Sequence, residues 1–559
     1  MVIVDKPTYL QSMLNLLSNT DKFKILTEPI QKYSWKIEDR INRFLLKIKK
    51  LNLINDSLYD DLHATGSGPG ILYGLPKIHK PDFSSKFQYR PIFAAYNQPS
   101  YKLAKYLVPL LSALTTNQYT VRNSEEFAQK ITSTRHANLY FMASFDIESL
   151  FTNIPIQETI DICINSLFSN SNSMFGFTRE IFKNLLELAV KNSFFLFDGK
   201  YYEQTEGLGM GLPLGPTFAN IFMSFHEQNW LANCPSHFKP AFYNRYIDDT
   251  FLLFRDQSHC SLFFNYLNQQ HSSIKFTVET ESNNSLPFLD WKVERCGDQF
   301  STSVFRKSSF SGLTMSFFSS CCKRFKLNSV KTLIYRAYTI CSSYVSLHSE
   351  FQFITDMFFQ NGFPKSLIQC SINKFLNSKY HQNCPAISVP KKPIYFSNLY
   401  FGHKSVEFNI KIRELVSEYF PHVQLHSVLV NPFNIGSLFP FKDSLPMSLR
   451  SRVVYKYSCE RVNCPSVYYG STIRALSARV AEHRGVSPRT GHLLITPPHS
   501  AVRDHAQNCN SDLSSENFKI VSSNSSVISL RILESLFIVD NKPDLNDTKS
   551  AFPLKIVNN

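Results

Sequence analysis

Apolar residues recur at helical spacing through residues 8 to 62, in "YLQSMLNLLSN" and "RINRFLLKIKKLNLI", and the second run carries a basic face. A helical N-terminal region over 1–65 is predicted. "TGSGPG" then reads as a loop, and "YGLPKIHKP" and "YRPIFAAYN" as irregular strands broken by Pro and Gly around a tip with Lys77, Lys80 and Arg90. A buried strand ending in acids is expected within "ANLYFMASFDIESLFTNIP" (137–155), followed by helical pattern to about 193. The Gly-rich "EGLGMGLPLGPTFANIFMSFHE" (206–227) passes into helical spacing at Phe218, Ile221, Phe222 and Phe225. "YNRYIDDTFLLF" (243–254) has the aromatic and branched texture of a strand hairpin, with Asp248 and Asp249 in its middle. A helix, "CSLFFNYLNQQH", and two strands, "IKFTVETES" and "SLPFLDWKVER", come next. This order fits a mixed sheet with helices on one side.

Residues 315–380 are helical and basic, "QNCPAISVPKKPIYF" reads as linker, and after "KDSLPMSLRS" the texture becomes strand, Cys pair, strand, helix. The expected division is a helical N-terminal region (1–65), a unit with the Gly-rich and acidic motifs (66–260), its end plus a helical unit (261–381), a linker (382–450) and a small C-terminal unit (451–559). The fold class is α+β, multidomain.

Composition sharpens the partner. The 559 residues hold 59 Lys and Arg against 44 Asp and Glu, a net charge of +15, which suits a polyanion such as nucleic acid. No apolar run is long enough to span a bilayer, and the N-terminus lacks signal-peptide texture, so no membrane partner and an intracellular location are expected. The 12 Cys are scattered, which favours reduced thiols with one metal site over a disulfide framework.

Two adjacent carboxylates in an apolar run demand an account, since an unpaired buried charge costs several kcal/mol or more. Successive strand residues face opposite ways, so the pair is best placed where the backbone turns, with Asp248 in a site and Asp249 beside it. Asp146 ends another buried strand, and if the two strands are neighbours the acids converge. Hard oxygen donors in that arrangement suit Mg²⁺. Two such ions can activate an attacking 3′-hydroxyl and stabilise a leaving pyrophosphate. The glycines from 207 to 215 match neither nucleotide-binding fingerprint. With Pro213 and Pro216, they suggest backbone passing close to something flat, such as a base pair.

"YGLPKIHKP", "RPI", "FDIESLFTNIP", "GLGMGLPLGPTFANIFM", "RYIDDTF" and "SLPFLDWKV" resemble, in order, the reverse-transcriptase motifs of Penelope-like retroelements, relatives of the telomerase catalytic subunit. The resemblance runs from about residue 2 to 350. It implies a right-hand polymerase, with fingers and palm over 66–260 and the thumb within 261–381. In that scheme Asp146 and Asp248 hold Mg²⁺ (or Mn²⁺) with Asp249 beside them. Lys77 and Arg90 hold the incoming triphosphate, Phe151 excludes a ribose 2′-hydroxyl, and the loop with Gly209, Gly211 and Pro213 packs by the templating pair. Lys323, Arg324, Lys326 and Lys331 grip the duplex backbone.

In "VVYKYSCERVNCPSVYYGSTIRALSARVAEHRG" (453–485), Arg479 and His483 share a helix face. A Tyr or His that takes a proton from water, an Arg on the phosphate and an acid holding a metal suffice for phosphodiester cleavage, and Glu534 is the expected acid. The region 450–547 resembles the GIY-YIG nuclease that many Penelope-like elements carry. Its first tripeptide is present only as Val453, Val454 and Tyr455, its second as Tyr468, Tyr469 and Gly470, and Asn546 matches an Asn that often closes the motif. Cys459 and Cys464 with His499 and His505 match a zinc finger only loosely by spacing. The resemblance implies Zn²⁺ on those four, with Cys509 as a possible substitute ligand.

The expected protein is therefore an RNA-directed DNA polymerase that nicks target DNA and copies its own element's RNA from the exposed end with dNTPs. It would be made in the cytoplasm and act in the nucleus. The chain starts close to the first family motif, which is compatible with a missing upstream segment. The rival expectation is a catalytically decayed RNA- or DNA-binding derivative of such an element.

Overall fold

The computed structural model describes residues 4–78, 88–169, 171–380, 391–431, 438, 443–461 and 463–546. Among them, no helix is long and apolar enough to cross a membrane.

The expected single mixed sheet is two separate sheets. The first has five strands in the order Phe23–Ile25, Lys200–Gln204, Ser193–Phe197, Gly70–Pro76, Tyr89–Ala94. Its one parallel contact joins Gly70–Pro76 to Ser193–Phe197. The second has four antiparallel strands in the order Phe276–Thr280, Phe141–Ile147, Asp249–Phe254, Phe242–Tyr246. Alternation along the central strands sorts their side chains between two cores. Ala143, Phe145, Ile147, Leu252 and Phe254 pack with the helices Ile156–Leu167, Gly215–Ala232 and Gln257–Gln270. Met142, Phe251 and Leu253 pack on the opposite face with Phe127, Phe288, Trp291 and Phe300. Both faces are thus covered, which is why these strands read as continuous apolar runs.

The helix Ile30–Lys50 has three faces. Tyr33, Ile37, Ile41, Leu45 and Ile48 are buried in the first core. A stripe of Lys36, Arg40, Arg43, Lys47 and Lys50 follows alternating four- and three-residue spacing on another side. The third side meets the C-terminal unit, where Arg489 Nη2 lies 2.6 Å from Asp39 Oδ1 and Gln31 bonds Ser477. Gly66, at φ +67°, lets the chain pass there, because a Cβ would sit 2.2 Å from the Ile473 carbonyl oxygen.

Helices Lys323–Ile340, Tyr344–Gln360 and Lys365–Tyr380 enclose their own core around Ile334, Ile354, Phe358 and Ile368. Arg306 ties this bundle to the preceding strand, donating from Nη1 to Glu350 Oε2 at 2.9 Å and stacking 3.7 Å over Phe353. The stretch 382–450, read from its prolines as linker, is not structureless. Parallel strands Lys392–Leu399 and Val423–Val430 flank the helix His403–Tyr419, a βα-β unit whose apolar periodicity the prolines at 385, 390 and 393 obscured.

The C-terminal unit is a three-stranded antiparallel sheet, Val467–Thr472, Val453–Ser458, Phe518–Ser523, with helices Leu476–His483, Ala501–Asn508 and Val527–Asn541. Tyr455, Tyr457, Leu476, Val480, Val502 and Phe518 form its core.

Candidate functional site

The turn between Phe242–Tyr246 and Asp249–Phe254 carries the acids. Register sets Asp249, rather than Asp248, opposite Asp146, on the sheet face shared with Met142 and Phe251. Asp248 occupies the turn itself, and its carbonyl accepts from the Ile147 N–H at 3.0 Å. Burial, then the charges of Asp248 and Asp146, push the Asp249 carboxyl up to about 7, while Lys307 and Arg90 pull it down. The three acids therefore share one field, with two cations facing it. Three carboxylates gathered in this way fit a hard divalent cation.

What holds the turn was not read from the sequence. Arg245, two residues before it, is wholly buried. Its Nε and Nη2 donate to the Glu227 carboxylate at 2.6 and 3.2 Å, Nη2 also to Ser224 Oγ at 3.2 Å, and Nη1 to Asn220 Oδ1 and the Ile247 carbonyl, both at 3.0 Å. Asn117 Nδ2 donates to Glu227 Oε1 at 2.6 Å. Ile247 sits at φ +59°, a costly conformation for a β-branched residue, and the guanidinium grips its carbonyl. The sequence signal was there: Arg245 is one more charge inside the apolar run, and only its partner, 18 residues upstream, was hidden.

Of the other expected polymerase residues, Arg90 acts directly on the Asp249 carboxyl. Lys77 ends the Gly70–Pro76 strand, its N–H bonded to the Gln88 carbonyl at 2.8 Å, and Arg90 lies on the paired strand opposite Leu75. Lys80 lies outside the described residues. Half-buried Phe151 sits in a short helix after Asp146; its carbonyl accepts from Leu208 at 2.7 Å, and its ring lies 3.9 Å from where a Cβ on Gly215 would be.

The glycines of the Gly-rich loop make room for protein backbone and side chains: a Cβ on Gly211 (φ +131°) would lie 2.0 Å from the Phe93 carbonyl oxygen, one on Gly209 would lie 2.9 Å from the Phe93 ring, and one on Gly207 would lie 2.5 Å from the Thr152 carbonyl oxygen. The loop is laced to the Tyr89–Ala94 strand by the Phe93 N–H on the Met210 carbonyl at 2.7 Å. Pro213 lies in the tight turn that follows, before the helix Gly215–Ala232.

A second cluster lies in the C-terminal unit. Arg479 Nε donates to the Tyr455 hydroxyl oxygen at 3.1 Å, and that hydroxyl lies 2.8 Å from His483 Nε2. His483 Nδ1 is 2.7 Å from Ser500 Oγ. Burial, then Arg479 and Arg503, hold His483 down to about 3, so the ring is neutral and Nε2 is free to accept from Tyr455. The Tyr468 ring lies 5.7 Å from that of His483. Gly470 is required beneath Tyr455, because a Cβ there would meet its hydroxyl oxygen at 2.5 Å. Glu534 accepts from the Ser471 N–H at 2.9 Å and Oγ at 2.7 Å, while Asn546 brackets Tyr469 by accepting from its N–H and donating to its carbonyl. Tyr455, Arg479, His483 and Tyr468 thus gather around one hydroxyl, and the Glu534 charge reaches Tyr455.

The expected zinc ligands are partly corrected. Cys459, Cys464, His505 and Cys509 place their ligand atoms within 4.8 Å of one another. His499 is outside this group and pairs with Asp504 at 3.2 Å. The helix Ala501–Asn508 places His505 and Cys509 one turn apart on one face, whereas His499 precedes its N-cap, Ser500. Hydrogen bonds from Ser466 bring the Cys464 thiol down to about 6, so the donor set suits a thiophilic ion.

Residues 78–281 match the family model "Reverse transcriptase (RNA-dependent DNA polymerase)", and 313–373 match "Animal helix-turn-helix domain", which covers most of the three-helix bundle. No curated protein matches in sequence. Among solved structures, telomerase from Candida albicans with a TWJ fragment of telomeric RNA is similar at 11% identity and TM-score 0.41, over 58% of this chain and 60% of that one. Apo telomerase from Candida tropicalis is similar at 11% identity and TM-score 0.38, over 66% and 62%. The Sicinivirus 3Dpol RNA-dependent RNA polymerase is similar at 11% identity and TM-score 0.36, over 57% and 71%.

Arg245→Met strands Glu227 and should cost about 3–5 kcal/mol in urea unfolding, while Arg245→Met with Glu227→Leu should recover most of it. Because the folded Asp249 carboxyl titrates above its unfolded value, its ionisation opposes folding above pH 7. Asp249→Asn should therefore stabilise the Mg²⁺-free chain at pH 8 by about 2 kcal/mol, roughly half of what the full shift carries once solvent access is allowed for, with the gain fading between pH 7 and 4 in thermal melts. Cys509→Ser should remove one equivalent of Zn²⁺ by elemental analysis and His499→Ala none.

Proposed function

We propose, from the reverse-transcriptase domain that the chain carries over residues 78–281, that this is the RNA-directed DNA polymerase of a Penelope-like retroelement, joined to a GIY-YIG endonuclease that nicks the DNA it extends. The observation that carries the polymerase reading is the convergence of Asp146, Asp248 and Asp249 at a turn gripped by a buried guanidinium.

In this reading Asp146 and Asp248 hold Mg²⁺ or Mn²⁺, and Asp249 sets the field beside them. Bound there, the metal acidifies the primer 3′-hydroxyl and neutralises the triphosphate. Lys77 meets the triphosphate as a point charge, Arg90 as a planar fork. Phe151, held against Gly215, presents its ring edge to the sugar and rejects a 2′-hydroxyl. Lys323, Arg324 and Lys331, exposed on the first helix of the bundle, and Lys326 beside Phe317 meet the template–primer backbone.

At the second site Arg479 binds the scissile phosphate and polarises Tyr455. The Tyr455 hydroxyl passes its proton to neutral His483 as it takes one from the attacking water, so the pair works as a relay. Tyr468 flanks the water, and Glu534, oriented by Ser471, holds the divalent metal. The Cys459, Cys464, His505 and Cys509 cluster holds Zn²⁺ and fixes the loop between the two paired strands. Together these sites support target-primed reverse transcription in the nucleus. The template is the element's own RNA, the primer is nicked target DNA and the substrates are dNTPs.

Asp248→Asn should lower primer extension on an RNA template at least 100-fold and leave nicking of supercoiled DNA intact, and Glu534→Ala should do the reverse. Wild-type extension by Asp248→Asn would overturn the polymerase assignment, and wild-type nicking by Glu534→Ala the nuclease assignment.

A further inference from the structure

Behind the palm sheet, three chemically matched side chains from distant points in the sequence meet. Glu158 stands in the first turn of Ile156–Leu167, His226 in the fourth turn of Gly215–Ala232, and His271 caps the end of Gln257–Gln270. His226 Nε2 lies 2.9 Å from Glu158 Oε1, and His271 Nε2 lies 3.2 Å from Glu158 Oε2. One ligand atom from each falls within 4.8 Å of the other two. None of these residues belongs to the polymerase or nuclease sites described above.

We propose that Glu158, His226 and His271 bind a divalent transition-metal ion of the zinc class. Two imidazole nitrogens and one carboxylate oxygen are a donor set for Zn²⁺ or Co²⁺ and a poor one for Mg²⁺ or Ca²⁺. The histidine side chains are 14% and 16% exposed and the Glu158 side chain 39%, so the nitrogens are shielded while the carboxylate side admits the ion and a water as fourth ligand. The far ring nitrogen of His271 has an outer partner: Ser273 Oγ lies 2.8 Å from Nδ1 and its backbone N–H 3.2 Å away. Without an ion, Nδ1 accepts from that backbone N–H and Nε2 carries the proton toward Glu158; a metal at Nε2 displaces that proton and turns Nδ1 into a donor to the Ser273 hydroxyl oxygen, the kind of outer contact that orients ligating histidines. Phe222 and Trp230 pack on the His226 ring at 4.4 and 5.4 Å between centroids and hold it in place.

The consequence is mechanical. The ion would join the three helices that back the palm sheet, on a helix where the next residue, Glu227, grips Arg245. A metal bound only by the folded chain stabilises it in proportion to the logarithm of its concentration over Kd. This site is independent of the Cys₃His cluster and of the polymerase reading.

The test is Co²⁺ titration of the full-length, metal-stripped chain with visible and near-ultraviolet absorption. One equivalent should bring thiolate charge-transfer bands from the Cys459 cluster. A further equivalent should add ligand-field absorption without more charge transfer. That second step should persist in Asp248→Asn, which separates it from the polymerase acids, and vanish in His226→Gln and in Glu158→Gln, which retain hydrogen-bonding amides. Zn²⁺ beyond the first equivalent should also raise the Tm of the wild-type chain and not that of His226→Gln. A wild-type titration with no step free of thiolate charge transfer would overturn the proposal, as would a second step that survives His226→Gln or is lost in Asp248→Asn.

Discussion

Three carboxylates must be held at one end of a sheet whose two faces are both covered by apolar side chains, and the structure meets this constraint with a guanidinium buried one layer behind them. Burial and, after it, the neighbouring like charges both oppose ionisation there, and together they raise the Asp249 carboxyl. Arg245 offsets part of that field and fixes the Ile247 carbonyl, so the turn cannot relax by peeling away from its neighbour strand. A buried ion pair such as Arg245 with Glu227 contributes little net stability compared with apolar residues of similar size. Its value here is geometric, because one fully satisfied donor fork sets the position of the turn, of the helix Gly215–Ala232 and of the loop at Asn117 together.

That helix links several of the site's requirements. Its N-terminal end follows the glycine loop, which closes on Phe93 and Thr152 and so ties the Tyr89–Ala94 strand to the Phe151 helix. Its middle presents Asn220, Ser224 and Glu227 to Arg245, and His226 to Glu158 on another side. Residues adjacent in sequence point 100° apart on a helix, so one segment serves two polar clusters and still buries Phe218, Ile221 and Phe222.

The C-terminal unit repeats the same economy on a smaller scale. One short helix supplies Arg479 and His483, and the strand Val453–Ser458 supplies the tyrosine they share. Glu482 on the same helix bonds Arg479 Nη1 at 3.0 Å, leaving the guanidinium oriented toward Tyr455. The unit's docking on the third face of Ile30–Lys50 uses a side of that helix which neither the apolar core nor the basic stripe occupies.

The acids at 146, 248 and 249, the glycines, the Tyr, Arg, His and Glu of the second cluster, and the helical bundle after residue 315 were all legible in the sequence. Each is a local violation of its surroundings or a local periodicity, and such signals survive without knowledge of the fold. What the sequence left undetermined depends on distance in space between residues far apart in the chain. Register alone sets Asp249, not Asp248, across from Asp146. Only packing shows that the glycines serve Phe93 and Thr152, that Arg245 finds Glu227, that Cys509 displaces His499 from the Cys/His group, and that the proline-broken stretch after 382 contains a βα-β unit. Strand pairing and helix facing are decided by the simultaneous burial of many side chains, and no window of sequence contains both members of those pairs.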